Sequence, residues 1–142
     1  MTKRELYSSV LAKKAISPQN ETGNTAVVSS IIDTAGYGSA MFVIAYGALE
    51  DSGATFTVLL EDGDDSGLSD SASVADTYLV GTEAKATVTQ ANDDVVRCLS
   101  YIGNKRYLRL TITPSGNAGN AYVSAVCLLG HPAAAPVSQS ET

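Results

Sequence analysis

Two long alternating segments near the C-terminus constrain the fold of this 142-residue chain more than any other feature. In Lys105–Thr113 and in Ala121–Leu129, apolar residues recur with the period of two that is typical of β-strands. The loop between them, Pro114–Asn120, is rich in Gly, Asn and Ser, which favour turns. The residues predicted to face the core are Leu108, Leu110, Ile112, Val123, Ala125, Cys127 and Leu129. We therefore predict that this region forms two core strands.

Shorter segments of the same kind precede these two, at Ala26–Ile32, Ala40–Tyr46, Ala54–Glu61, Thr77–Val80, Ala86–Gln90 and Val95–Tyr101. Ala40–Tyr46 is an unbroken apolar run, which predicts a strand that is buried on both faces. Gly103 and Asn104 predict a hairpin turn between Val95–Tyr101 and Lys105–Thr113. The predicted fold is all-β, an antiparallel β-sandwich of jelly-roll type, with a small barrel as the alternative.

The ends of the chain differ from this strand-rich middle. Residues 1–25 contain the breaking sequence Ser17-Pro18-Gln19-Asn20 and are predicted to be an N-terminal arm. Residues 132–142 are rich in Pro, Ala and Ser and are predicted to be an extended C-terminal tail. The sandwich domain is then expected over 26–131.

The charges are unevenly distributed, with a net charge of −6 that disfavours a nucleic-acid partner. Residues 50–94 hold eleven acids and a single base. The first 14 residues hold four of the nine bases, and a second basic stretch surrounds Tyr107. The candidate partner-binding residues are Lys3, Arg4, Lys13, Lys14, Arg106 and Arg109. The alternative for all six is ordinary solvated surface charge.

The two cysteines, Cys98 and Cys127, are too few for a disulfide scaffold, and both are predicted to be buried free thiols. The N-terminal stretch has no apolar run of signal-peptide length, and no segment reaches the roughly 20 apolar residues of a membrane helix. We therefore expect synthesis and folding in a cytoplasm and no membrane partner.

No catalytic or cofactor motif stands out. His131 is the only histidine, so a Ser/His/Asp triad or a Cys/His pair would have to use it, yet no G-x-S-x-G sequence is present. Structural zinc would need more His and Cys than the chain has. We expect no catalytic residue, no cofactor and no metal site, and hence no enzyme.

The acidic loop after Ala54–Glu61 has part of a calcium-binding spacing. Asp62, Asp64, Ser66 and Asp70 occupy positions 1, 3, 5 and 9 of such a loop, but position 12 is Ser73 rather than a carboxylate. A solvated loop is the favoured interpretation, and cation binding by residues 62–73 stays open.

The segment Tyr101–Pro132 resembles a family of small β-rich virion proteins of tailed bacteriophages. The resemblance lies in the K-R-Y-L-R-L of Lys105–Leu110 after a turn, the Gly/Ser/Asn loop, and the apolar strand that ends in the G-H-P of Gly130–Pro132. A nearby A-P-V at Ala135–Val137 belongs to the same pattern. The N-terminal half is similar only in layout.

This resemblance implies a capsid decoration (cement) protein on the head surface of a virion, with no enzymatic activity. Its implied partners are the major capsid protein and neighbouring copies of itself. A trimer is the common arrangement in such proteins, but no residue pattern here determines the number of copies. One alternative is another virion subunit, of the tail, connector or fibre. A second alternative is a β-sandwich enzyme.

Overall fold

A computed structural model describes residues 4–139. Two antiparallel sheets face each other across one hydrophobic core. The five-stranded sheet has the order β1-β11-β4-β9-β7, with β1 at Leu11–Glu21, β11 at Ala121–Pro132, β4 at Tyr37–Leu49, β9 at Val96–Tyr101 and β7 at Leu79–Val80. The six-stranded sheet is built on β10 (Tyr107–Ser115) and β5 (Thr55–Gly63), flanked by β2 (Val27–Val28), β3 (Ile32–Asp33), β6 (Ala72–Ser73) and β8 (Val88–Thr89). The predicted all-β antiparallel sandwich of jelly-roll type is confirmed.

The core lies where the inward residues of the two sheets meet. Leu108, Leu110 and Ile112 of β10 are fully buried, and so are Cys127 and Leu129 of β11. The alternation in these strands therefore predicted the core residues correctly, and β10 and β11 belong to opposite sheets that face each other across the core.

The predicted hairpin at Gly103-Asn104 is wrong. β9 pairs with β4 and β7, whereas β10 pairs with β5, β2 and β3, so this turn carries the chain from one sheet to the other. The Tyr101 hydroxyl holds the crossing in place, since it donates to Asp62 Oδ2 at 2.6 Å and accepts the Lys105 amide at 2.9 Å. A side chain at Gly103 would overlap this tyrosine ring, so the turn requires glycine.

The predicted N-terminal arm is also wrong for residues 11–21, which form strand β1. This strand pairs with β11 from Leu11 to Glu21 and buries Leu11, Ala15 and Ile16. The sequence around Ser17 and Pro18 was predicted to interrupt regular structure. It lies instead in an edge strand, where two irregularities in the register accommodate it.

The described part of the C-terminal tail folds back onto the N-terminal segment. Val137 is buried, and its amide donates to the Ser8 carbonyl at 2.9 Å. The Gln139 side-chain amide donates to the carbonyls of Tyr7 and Val10, both at 2.6 Å. The two ends thus hold each other beside β1, and residues 133–139 are not a free extension of the domain.

A single turn of helix, α1 (Glu83–Ala86), lies between β7 and β8 and was not predicted. Thr82 begins it as the N-cap, with its hydroxyl accepting the Lys85 amide at 3.1 Å. The Glu83 carboxylate accepts the Leu60 amide at 2.7 Å, which ties this turn to β5.

Candidate interaction surfaces

The outer side of the five-stranded sheet is a broad apolar surface. Its strand registers align outward residues in rows, such as Val126, Val43 and Cys98 across β11, β4 and β9. We call this surface the five-strand face and define it by Met41, Val43, Ala45, Val80, Val96, Cys98, Ser100, Tyr122, Ser124, Val126 and Leu128. Val80 and Val96 are each 58% exposed. Contiguous exposed apolar side chains are a feature of many partner-binding surfaces, which makes this face a candidate.

This surface corrects two predictions made from sequence. The run Ala40–Tyr46 is buried on one face only, because Phe42, Ile44 and Tyr46 point into the core while Met41, Val43 and Ala45 point out. Cys98 is a free thiol as predicted, but it is exposed, whereas Cys127 is buried. Burial raises the pKa of the Cys127 thiol to about 12, so only Cys98 is available to react.

A groove of about 700 Å³ lies at one end of the five-strand face. Leu6 and Val10 form one wall, and Met41 and Leu128 of the sheet lie along it. Leu6 is 67% exposed, so the apolar surface continues from the sheet onto the N-terminal segment. The contacts of Gln139 with this segment hold the wall in place.

The outer side of the six-stranded sheet is mostly polar, although Val28 of β2, which pairs with Thr111, is 53% exposed there. We call it the six-strand face and define it by Thr55, Thr57, Leu59, Glu61, Tyr107, Arg109, Thr111 and Thr113. Arg109 and Glu61 are cross-strand neighbours, and their charged atoms approach to 3.1 Å. Threonines and one matched ion pair give this face ordinary solvated character.

The candidate basic residues do not form a single patch. Lys3 lies outside the described residues, and Arg4 is exposed. Lys13 and Lys14 are adjacent on β1, and their side chains point to opposite sides of that strand. Arg109 is paired with Glu61. The role of these cations in partner binding stays a prediction.

Arg106 makes a two-pronged contact with Asp33. Its Nε and Nη2 atoms lie 2.8 and 2.9 Å from the two carboxylate oxygens, and its guanidinium lies 5.0 Å from the Tyr107 ring centroid. The guanidinium of Arg106 lowers the pKa of the Asp33 carboxyl to about 2, with smaller help from the Ala35 amide and from Lys13. This cation already has an internal partner.

The acidic loop directs its carboxylates at its own backbone. Asp70 accepts the amides of Asp64 and Asp65, and Asp65 accepts those of Gly67 and Ser69. These bonds lower the pKa of both carboxyls, Asp65 and Asp70. Within residues 4–139, no group of three or more His, Cys, Asp or Glu side chains is arranged to hold a metal ion.

His131 lies at the end of β11 with a left-handed backbone, φ 48°. Its Nδ1 lies 2.9 Å from Ser39 Oγ at the edge of the groove. Over residues 4–139 no carboxylate hydrogen-bonds to this ring, so the third member of a Ser/His/Asp arrangement is not in place. In the same part of the chain, no helix has the length and apolar character needed to span a bilayer.

No family model matches the chain, and no curated protein matches it in sequence. Among solved structures, the PBSX exported protein XepA is 16% identical, with a TM-score of 0.55; the match covers 92% of this chain and 40% of that one. The family 22 carbohydrate-binding module of Clostridium thermocellum Xyn10B is 13% identical, with a TM-score of 0.45, and the match covers 85% and 82%. A chain from the structure of infectious bursal disease virus, Gx strain, is 14% identical, with a TM-score of 0.47; the match covers 89% of this chain and 35% of that one. At these identities the likeness concerns the fold alone.

Proposed function

We propose that this chain is a structural virion protein of a tailed bacteriophage, of the head decoration type, which binds assembled capsid protein and performs no chemistry. The single observation that carries the proposal is the five-strand face. A protein that works by contact within an assembly needs a rigid domain with a surface for neighbouring copies. This chain presents a broad apolar surface of that kind across a paired sheet, and its basic N-terminal residues are left for the capsid.

The resemblance of Lys105–Leu110 and Gly130–Pro132 to small phage virion proteins supports this class of function. The structure explains why these two stretches occur together, since β10 and β11 supply the two halves of the core. They build the scaffold, and the outward residues of β11 also contribute to the five-strand face.

The basic N-terminal residues are the proposed contact with an acidic capsid surface. Lys13 and Lys14 project from an edge strand, and Arg4 lies in the exposed segment before it. Opposite charges speed and orient the encounter of two proteins more than they add affinity. Binding is then expected to weaken as salt is raised, because exposed charges are screened.

The test uses heads assembled without this protein from the major capsid protein of the same genome. Purified chain is added, the heads are pelleted, and the bound amount is measured. We expect saturable binding at a constant ratio to capsid protein, and weaker binding by a Lys13→Gln/Lys14→Gln variant. The matched control is Thr57→Gln on the six-strand face, which should bind as the unaltered chain does.

Chain that stays in the supernatant at all concentrations contradicts the decoration role. Density for the chain at the tail of intact virions, and none on the head, favours the alternative of a tail or connector subunit. A hydrolytic activity that is lost on His131→Ala would overturn the non-enzymatic assignment.

A further inference from the structure

The sequence of β4 is apolar on both of its sides. Phe42 and Ile44 are fully buried between the sheets, while Met41 and Val43, which alternate with them, point away from the core. Unbroken apolar strands are typical of sheets that are covered on both faces. Among residues 4–139, the inner face of this sheet is covered along its length, whereas on the outer side Leu6 and Val10 reach one end alone. The partner strands β11 and β9 continue the outer apolar surface with Val126 and Val96.

Charge is nearly absent from this surface although the chain is acidic. The sequence carries a net charge of −6, yet among residues 4–139 Lys14 is the one charged side chain at an outward position of the five strands. The acidic residues lie in the loops and around the six-stranded sheet, for example Asp64, Asp70 and Asp93. Two copies of the chain repel each other least when these uncharged surfaces meet.

The size of the surface suits a dimer. The strands lie about 4.8 Å apart and rise about 3.3 Å per residue. β1, β11 and β4 run the full length from Tyr122 to Gly130, whereas β9 has six residues and β7 two, so the face projects to roughly 500 Å². Side chains corrugate this footprint, so its accessible area approaches the roughly 800 Å² that each partner buries in a stable protein–protein interface.

We propose that the five-strand face binds the same face of a second copy of this chain, in a twofold-symmetric, sheet-on-sheet dimer. The side chains on the face are of the sizes that interdigitate inside β-sandwiches. Two identical sheets also have the same twist, which lets them pack with their strands about 30° apart. A twofold contact brings the same patch from both copies together, and the one charged side chain of this patch, Lys14, lies on the edge strand β1, so few like-charge pairs arise.

Cys98 provides a direct probe of this contact. It is exposed in the single chain and shares a row with Val43 and Val126, whereas Cys127 is buried. We expect that the rate at which a dithiodipyridine reagent labels Cys98 falls as protein concentration rises from low micromolar to near-millimolar. Light scattering on the same samples should show the molar mass doubling over the same range.

Two variants place a charge on the face, Val126→Asp on β11 and Val96→Asp on β9, at positions 40% and 58% exposed. Each should raise the dimer dissociation constant at least tenfold and restore rapid labelling of Cys98 at high concentration. The matched control is Thr113→Asp, which puts the same charge at an exposed position of the six-strand face. Circular dichroism checks that each variant is folded. The test needs only one of the two face variants to be folded.

A chain that stays monomeric with Cys98 equally reactive at every concentration overturns the proposal. So does a dimer that both face variants leave intact, because its interface would then lie elsewhere. No heads are present in this experiment, so its outcome is independent of the shell-binding test. A dimer that fails to bind heads contradicts the decoration role and leaves this inference standing.

Discussion

The two outer faces of the sandwich differ in the length of their strands and in what they present to solvent. The six-strand face carries threonines and the Arg109–Glu61 pair. The five-strand face carries Val, Met, Ala and Leu side chains. An antiparallel sheet needs only one apolar side to hold its own core, as β5 and β10 show. The core of this chain does not require the second apolar side of the other sheet, and we propose that this side contacts a partner.

Removing the first half of β1 gives the largest expected effect. Deleting residues 1–16 takes out Leu11, Ala15 and Ile16, which are buried, and leaves Ala125–Leu129 of β11 with an unpaired edge. At about 1.5–3 kcal/mol for each large buried side chain, we expect a loss of at least about 3 kcal/mol in the free energy of unfolding. Urea denaturation measures it.

The control for this deletion removes residues 1–10 only. That variant loses the segment held by Gln139 but keeps β1, so it should remain folded with a smaller loss of stability. Equal stability of the two deletions would contradict the assignment of β1 to the sheet.

Two neighbouring residues of β4 compare the inner and outer sides of one sheet. Phe42 is fully buried, and Phe42→Ala should lower the free energy of unfolding by about 3–5 kcal/mol. Val43 faces outward, and Val43→Ala should cost less than about 1 kcal/mol at concentrations where the chain is monomeric. Similar losses from both substitutions would mean that the outer side is covered within the single chain.

The ion pair on the six-strand face should contribute modestly. A double-mutant cycle with Glu61→Gln and Arg109→Met should give a coupling of about 0.5–1 kcal/mol, since the pair is half-buried and cross-strand. The coupling free energy should decrease in high salt, because exposed charges are screened. The affinity of the dimer formed through the apolar five-strand face should not decrease. A coupling above that range would contradict the description of the six-strand face as an ordinary solvated surface.

The smallest effect concerns Asp33 and Arg106. The pKa of Asp33 lies at about 2 in the folded chain, below its ordinary value of 3.8, so the pair stabilises the fold above about pH 4 and loses this contribution as pH falls toward 2. Both side chains are exposed, so the change in stability should be slight. Carboxyl NMR titration should show the Asp33 pKa returning toward 3.8 in Arg106→Gln. An unchanged pKa in that variant would assign the shift to the Ala35 amide.

Much of the fold was predictable from sequence. The alternation in β5, β10 and β11 identified their inward residues, because the period of two is a local property of extended chain. The hairpin at Gly103 was predicted wrongly because a turn signal specifies a change of direction and says nothing about which sheet the next strand joins.

The candidate site was less accessible to sequence reasoning. The outward residues of β4, β9 and β11 form one surface only because distant strands pair in this order, and Val43 meets Val126 and Cys98 through that pairing. One signal was present in the unbroken apolar run Ala40–Tyr46, which predicted a strand covered on both faces. Its outer cover is what the dimer proposal supplies.

The sequence by itself determined the all-β class, the positions of β4, β5, β9, β10 and β11, and the core residues of β5, β10 and β11, since these follow from local alternation and turn chemistry. The tertiary structure alone decided that residues 11–21 are an edge strand, that β10 and β11 lie in opposite sheets, and that an apolar face remains open. The physical reason is that backbone pairing between distant strands depends on the whole set of registers. No short stretch of the chain specifies which of its two sides a second layer will cover.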